Sequence, residues 1–211
     1  MRSLGRYVTF MGSLFTRRET LSTYIKLITQ ESVNVGYNSL FIVEIVSIFM
    51  GAVTTIQTAF NLVSPFIPDY VISLVVRDMA ILELSPTIIA IIFAGKVGSS
   101  IAGELGTMRI TEQIDALEVM GINTYNYLIF PKIVALSLYP FVITISMALG
   151  ILGGYVACVY GGFSSSNDYI DGIQLDFIPF HVGYAYIKTV VFSFALSTIP
   201  SHHGYFMQGG A

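Results

Sequence analysis

Four long stretches of the chain are almost wholly apolar, and polar residues collect between them. The first, Leu40 to Phe60, reads LFIVEIVSIFMGAVTTIQTAF and carries one charge, Glu44. The second, Tyr70 to Ala94, holds Arg77, Asp78, Glu83 and Pro86. The third, Ile133 to Tyr160, has no charge, and the fourth, Phe177 to Ile199, has only Lys188. About 20 helical residues cross a hydrocarbon core roughly 30 Å thick, so each run is long enough to span a bilayer. Runs one and three predict plain spans. The charges of run two predict a helix that faces other protein rather than lipid. The pattern predicts an all-α fold: a polytopic membrane helical bundle with four transmembrane helices.

Between runs two and three, MRITEQIDALEVMG reads as a short amphipathic helix over 111–121. Thr111 is placed to cap it, Glu112 sits in its first turn, and Gly121 is a natural stop. Ile110, Ile114 and Leu117 recur at helical spacing, while Glu112, Asp115 and Glu118 form an acidic edge. So short a helix must dock on something. From the residues alone, its own membrane domain and a partner are equally open. Residues 1–39 mix Arg2, Arg6, Arg17, Arg18 and Lys26 with apolar pieces, a composition that suits a helix lying in the membrane interface ahead of a membrane domain over 40–211.

Connector charges predict the orientation. The N-terminal segment is basic, and the 95–132 segment carries Lys96, Arg109 and Lys132. The connector after run one has no Lys or Arg, and the one after run three is acidic through Asp168, Asp171 and Asp176. The positive-inside rule puts the basic segments in the cytoplasm. Composition agrees with a membrane chain: 54% of residues are hydrophobic and 11% charged, with mean hydropathy +0.74, against about 25% charged in soluble domains. A single cysteine, Cys158, excludes a disulfide framework, and His181, His202 and His203 lack metal-site spacing. No catalytic motif appears, which sets aside an intramembrane enzyme.

AGKVGSSIAGELG, residues 94–106, invites comparison with a phosphate-binding loop. The spacing refutes it, because Lys96 follows Gly95 directly and is followed by Val97 rather than by Ser or Thr. The longer stretch AGKVGSSIAGELGTMRITEQIDALEVMGI instead resembles the signature of the MlaE-type permeases, the membrane subunits of ABC transporters that work with MCE proteins, with Lys96 where Arg is usual. FMGAVTTIQ in run one, ELSP at Glu83–Pro86 and IKTVVF in run four are similar to further family stretches, although Leu82 and Ser85 depart from its RELGP pattern. The resemblance runs from about residue 40 to 211.

The resemblance implies a homodimeric phospholipid permease in a bacterial inner membrane, bound to cytoplasmic ATPase subunits and a periplasmic MCE-domain protein. ATP and Mg would then act on the partner, with no cofactor in this chain. It implies that the 111–121 helix is the ATPase coupling element, with Arg109, Thr111, Glu112, Asp115, Leu117 and Glu118 at the contact. It implies a lipid path along Gln57, Asn61, Leu62, Glu83 and Leu84. The glycines Gly95, Gly98, Gly103 and Gly106 are expected to let backbones pack closely. A fifth span follows the four in that family, so the chain is expected to be a truncated form. Among the intramembrane charges, Arg77 and Asp78 do not share a helix face, which leaves Arg77 to pair with Glu83 or with a dimer mate, and Lys188 with Glu44 or Glu83. A competing expectation is an ion-coupled secondary transporter with Glu44, Asp78, Glu83 and Lys188 as a relay, although no internal repeat supports it.

Overall fold

The computed structural model describes Gly5, Tyr7, Phe10, Gly12 and residues 21–62 and 67–207. Much of the expected interfacial segment over 1–39, and the end at Gly209–Ala211, lie outside the described residues. Every element described is helical: α1 (Leu21–Ser32), α2 (Asn38–Asn61), α3 (Tyr70–Met79), α4 (Ile89–Phe93), α5 (Ser99–Ile110), α6 (Gln113–Val119), α7 (Phe130–Leu136), α8 (Tyr139–Tyr160), α9 (Ser166–Gln174) and α10 (Pro179–Tyr205). Four π-helical segments, Val33–Tyr37, Ala80–Ile88, Ala94–Gly98 and Tyr125–Ile129, join several of them into longer helices.

Among the described residues, four helices are long and apolar enough to cross a membrane: Ser39–Asn61, Tyr70–Ile110, Tyr125–Tyr160 and Pro179–Tyr205. They overlap the four apolar runs but outrun three of them. The second continues 16 residues past Ala94, through the glycine-rich stretch that marked its expected end. Hydroxyls explain how polar residues stay helical there: Ser99, Thr107 and Thr111 donate to the carbonyls of Gly95, Gly103 and Thr107, four residues back. The third helix likewise starts at Tyr125 rather than Ile133. Loss of apolar composition marks where the hydrocarbon ends, not where the helix does.

The chain divides into two compact units. One comprises Met1–Ser39, Phe93–Tyr139 and Val191–Ala211, the other Leu40–Ile92 and Pro140–Val190. In the second unit α2 and α8 meet backbone to backbone. A Cβ on Gly51 would lie 1.8 Å from the Gly150 carbonyl oxygen, and one on Gly153 would lie 2.2 Å from that of Ile48. Without a hydrophobic drive between helices in lipid, small residues and hydroxyls make such interfaces. Ser47 Oγ and Ser146 Oγ are 2.7 Å apart, and Ser146 donates to Ser85 Oγ at 3.1 Å.

The connector after α8 folds into a helix that the apolar pattern did not predict. Ser165 caps α9 by accepting from the Asp168 N–H at 3.2 Å. Gly172 presses α9 against α3, since a Cβ there would meet Ser73 Oγ at 2.0 Å. Tyr169, wholly buried beside Ile72, Val76 and Cys158, donates to the Ile151 carbonyl at 3.0 Å. Burial pushes its phenol well above the usual range, which keeps the proton on the donor.

Arg77 is buried at the same junction. Its Nη1 donates to the carbonyls of Ile173 (2.9 Å) and Leu175 (2.6 Å), and its Nε pairs with Asp78 Oδ1 at 2.9 Å. Two sequence expectations are thereby corrected: Arg77 pairs with its neighbour Asp78, and not with Glu83. The guanidinium, on a long stem, folds back across the 100° that separates adjacent positions on a helix.

In the first unit α1 packs on α7, with Tyr24 edge-on to Phe130 at 5.4 Å. The expected close packing at glycines is only partly present there. Gly98 meets the Pro200 side chain and Gly106 that of Met207, whereas a Cβ on Gly95 or Gly103 would meet nothing within 4 Å.

Glycine replacements separate packing from composition. Gly51→Val forces α2 from α8 and is expected to cost 3 kcal/mol or more, on the order of the largest overpacking losses. Gly183→Ala on α10, where a Cβ meets nothing within 4 Å, is expected to be neutral or to gain roughly 0.5–1 kcal/mol. Thermal unfolding in detergent checks both, and equal midpoints would refute the α2–α8 contact.

Candidate functional site

Four of the five expected path residues face one cavity in the second unit. Gln57 and Asn61 from α2, Leu62 just after it, and Leu84 from the π segment after α3 line a volume of about 390 Å³, with Val53 and Met79 adding to the apolar wall. Gln57 and Asn61 are exposed amides on successive turns of α2, four residues apart. Thr54 and Thr58 also line it. They were missed in the sequence because hydroxyls in an apolar run read as helix filler. The wall thus offers hydrogen-bonding amides beside aliphatic side chains.

Glu83 lies outside this wall. It is the immediate neighbour of Leu84, and adjacent helical positions point about 100° apart. Its Oε1 instead accepts from Lys188 Nζ at 2.9 Å, and the same ammonium donates to the Leu82 carbonyl at 2.9 Å. That second bond lies in the widened π segment Ala80–Ile88, where Pro86 contributes no N–H to the helix ladder. Of the two expected partners for Lys188, the structure selects Glu83. Asp78 is held by Arg77 at 2.9 Å, with His181 Nδ1 at 3.8 Å. A relay through Asp78, Glu83 and Lys188 would have to break these pairs first, which weighs against the ion-coupled alternative.

The expected 111–121 helix is shorter than its pattern: α6 covers Gln113–Val119, seven residues. Thr111 does not cap it, because its hydroxyl donates to Thr107 and closes α5. The residue before α6 is Glu112, held in the left-handed region at φ 60° with no side-chain cap. The chain must turn sharply between two helices there, and a non-glycine residue bears the strain. The stop is as expected: the N–H groups of Gly121 (φ +79°) and Ile122 return to the carbonyls of Glu118 and Leu117.

The acidic edge is not uniformly solvated. Asp115 Oδ1 pairs with Arg109 at 2.5 Å. Glu118 Oε1 accepts from Tyr205 OH at 2.9 Å and Thr124 Oγ1 at 3.2 Å, so it faces its own unit. Ile114 is wholly buried and anchors α6, with Leu117 partly buried. Most of α6 is exposed, with Glu112 at its N-terminal end and, at its C-terminal end, Val119, 89% exposed, and Met120, 66% exposed.

Comparison with known proteins agrees with this architecture. The family described as Permease MlaE matches residues 28–211. The chain belongs to the MlaE permease family. It is similar to a probable ABC transporter permease of Rickettsia bellii, 33% identical over 211 residues, covering 100% of this chain and 81% of that one. A probable ABC transporter permease of Synechocystis is 32% identical over 185 residues, 87% of this chain and 70% of that protein. The Arabidopsis thaliana chloroplastic protein trigalactosyldiacylglycerol 1 is 37% identical over 132 residues, 61% of this chain and 37% of its own length. As an MlaE-family permease this is a multi-pass membrane protein and the membrane subunit of an ABC transporter.

In this MlaE-family chain the Glu118–Tyr205 bond ties α6 to α10. Tyr205→Phe is expected to speed amide exchange over Gln113–Val119 on the order of tenfold, the worth of a hydrogen bond to a charged group. Hydrogen-exchange mass spectrometry reads this directly, and unchanged rates would show that the bond does not restrain α6.

Proposed function

We propose that this permease moves phospholipids between membranes, driven by a separate ATPase and working with an MCE-domain protein. The observation that supports this most is the α2–α3 cavity, where Gln57 and Asn61 stand beside Leu62, Leu84, Val53 and Met79. A phospholipid presents the same combination of a hydrogen-bonding head and apolar chains. The amides orient the headgroup, and the aliphatic wall carries the acyl carbons at no desolvation cost. Glu83 takes part through Lys188: the pair steadies the helix beside Pro86 and sets the local charge near the path. The transport subunit works as a homodimer in a bacterial inner membrane, with its basic segments in the cytoplasm. ATP and Mg are handled by the partner, and the chain itself carries no cofactor.

On this reading the tip of α6 is the ATPase contact. Of the expected coupling residues, Glu112 is exposed at the N-terminal end of α6 with neither an ion pair nor a side-chain hydrogen bond among the described residues, and Val119 and Met120 are exposed at the other end. Arg109 and Asp115 hold one another, Thr111 closes α5, and Glu118 and Leu117 hold α6 in place, so these five shape the contact.

Two experiments test the halves of this reading. In proteoliposomes with the ATPase and MCE partner, Gln57→Leu with Asn61→Leu is expected to reduce lipid transfer about tenfold or more, the loss of one to two hydrogen bonds. Glu83→Gln, which keeps a hydrogen-bond acceptor for Lys188 but removes its countercharge, is expected to fold and to transfer more slowly. Normal transfer by both variants would remove the lipid-path assignment. Separately, Glu112→Lys combined with Val119→Asp is expected to release the ATPase in pull-downs while the membrane domain keeps its unfolding midpoint. Stoichiometric co-purification would refute the coupling role.

A further inference from the structure

The first unit holds a second polar site, away from the residues assigned above. Lys132, on α7, is 99% removed from solvent, and its ammonium lies between two carboxylates. Glu31 Oε1 on α1 is at 2.6 Å and Glu104 Oε2 on α5 at 2.7 Å. The two carboxylates share this lysine from separate helices, and Lys96 lines the same polar cavity as both of them. Glu104 remains half exposed, so its second oxygen is available to a further donor.

The carboxylates face two cavities. One, of about 570 Å³, has an apolar wall formed by Leu27, Val33, Met108, Leu128 and Pro131. The other, of about 290 Å³, is polar, lined by Asn34, Ser39, Lys96 and Ser100 together with Glu31 and Glu104. Each is far larger than the roughly 30 Å³ share of one water. Ser39 supplies an independent observation: it is 1% exposed, and its hydroxyl has no hydrogen-bond partner. A buried hydroxyl left unpaired costs free energy unless something in the cavity completes it. Asn34 and Lys96 also sit in two different π-helical segments, Val33–Tyr37 and Ala94–Gly98, and such widened turns gather at functional sites. This is what the glycine-rich stretch AGKVGSS does in the fold: it widens the helix beside a polar cavity.

We infer that this paired cavity binds an amino-headed phospholipid, of the phosphatidylethanolamine class. The primary ammonium has N–H donors for Glu104 and Glu31, and a zwitterionic head leaves the net charge of the site unchanged. The phosphate is matched by the positive charge of Lys96 and the Ser39 hydroxyl. The upper acyl carbons lie along Leu27, Val33 and Met108. A quaternary choline head carries the same charge but no N–H, and a glycerol head carries no cation. This is a headgroup-selective site, distinct from the α2–α3 cavity, and it does not depend on the transport proposal.

The full chain, placed in nanodiscs with equal amounts of dioleoyl phosphatidylethanolamine, phosphatidylcholine and phosphatidylglycerol, tests it by native mass spectrometry of retained lipid. Ethanolamine lipid is expected to exceed choline lipid on the order of tenfold, the worth of one charge-assisted hydrogen bond. Glu104→Gln is expected to abolish the preference with the unfolding midpoint retained. Where that variant does not fold, Ser39→Ala is expected to weaken the preference severalfold, and Met108→Cys is expected to be shielded from a maleimide by ethanolamine lipid and not by choline lipid. Equal retention of the two lipids, or a preference that survives Glu104→Gln, overturns the site. Soluble phosphoethanolamine that shields Met108→Cys as well as the lipid does would assign the cavity to a free amine and overturn the lipid reading.

Discussion

Backbone carbonyls in hydrocarbon have no water to turn to, and any that a helix cannot satisfy must find a donor in the protein. Two cations in the second unit perform that service. Lys188 donates to the Leu82 carbonyl in the widened segment that holds Pro86, and Arg77 donates to the carbonyls of Ile173 and Leu175 at the end of α9. Each cation then holds a carboxylate as well, Glu83 for Lys188 and Asp78 for Arg77. The intramembrane charges are therefore bound to the irregularities of the backbone. A helix widened around a proline and a short helix folded into the connector each have a cation donating to backbone carbonyls beside them. The positive charge also suits the negative end of the α9 dipole.

Most of the fold was legible in the chain because apolar length is a strong signal. The four runs name the four spans, and Gly121 ends α6 as its pattern requires. What was misread shares a physical cause: the sequence reports hydrophobicity residue by residue, whereas helices persist as long as backbone and hydroxyl bonds continue. Ser99, Thr107 and Thr111 carry the second helix past Ala94 in this way. The pairing of Arg77 with Asp78 was hidden because Cβ directions diverge for neighbours, while the guanidinium reaches back. The α9 helix had its signal in Ser165 and Asp168, a cap pattern too common to act on alone.

The candidate site was legible in part and for a different reason. Gln57, Asn61, Leu62 and Leu84 came from a resemblance, and the cavity they share is a property of how α2 meets α3 and the segment after it. Glu83 shows the limit of carrying a motif over as a unit: a single step along the helix turns it from the cavity toward Lys188. The acidic edge of α6 shows the same limit. Spacing placed Glu112, Asp115 and Glu118 on one side, yet Tyr205, Thr124 and Arg109 claim two of the three.

The contact of α2 with α8 has a mechanical consequence. Gly51 lies against the Gly150 carbonyl and Gly153 against that of Ile48, with no side chain between to act as a bearing. Two helices touching through their main chains can neither roll nor ratchet past each other without collision. During a transport cycle they are bound to travel as one strut. Any bending within this unit is then expected at the widened, proline-bearing segment Ala80–Ile88, which Lys188 bridges through Leu82 and Glu83.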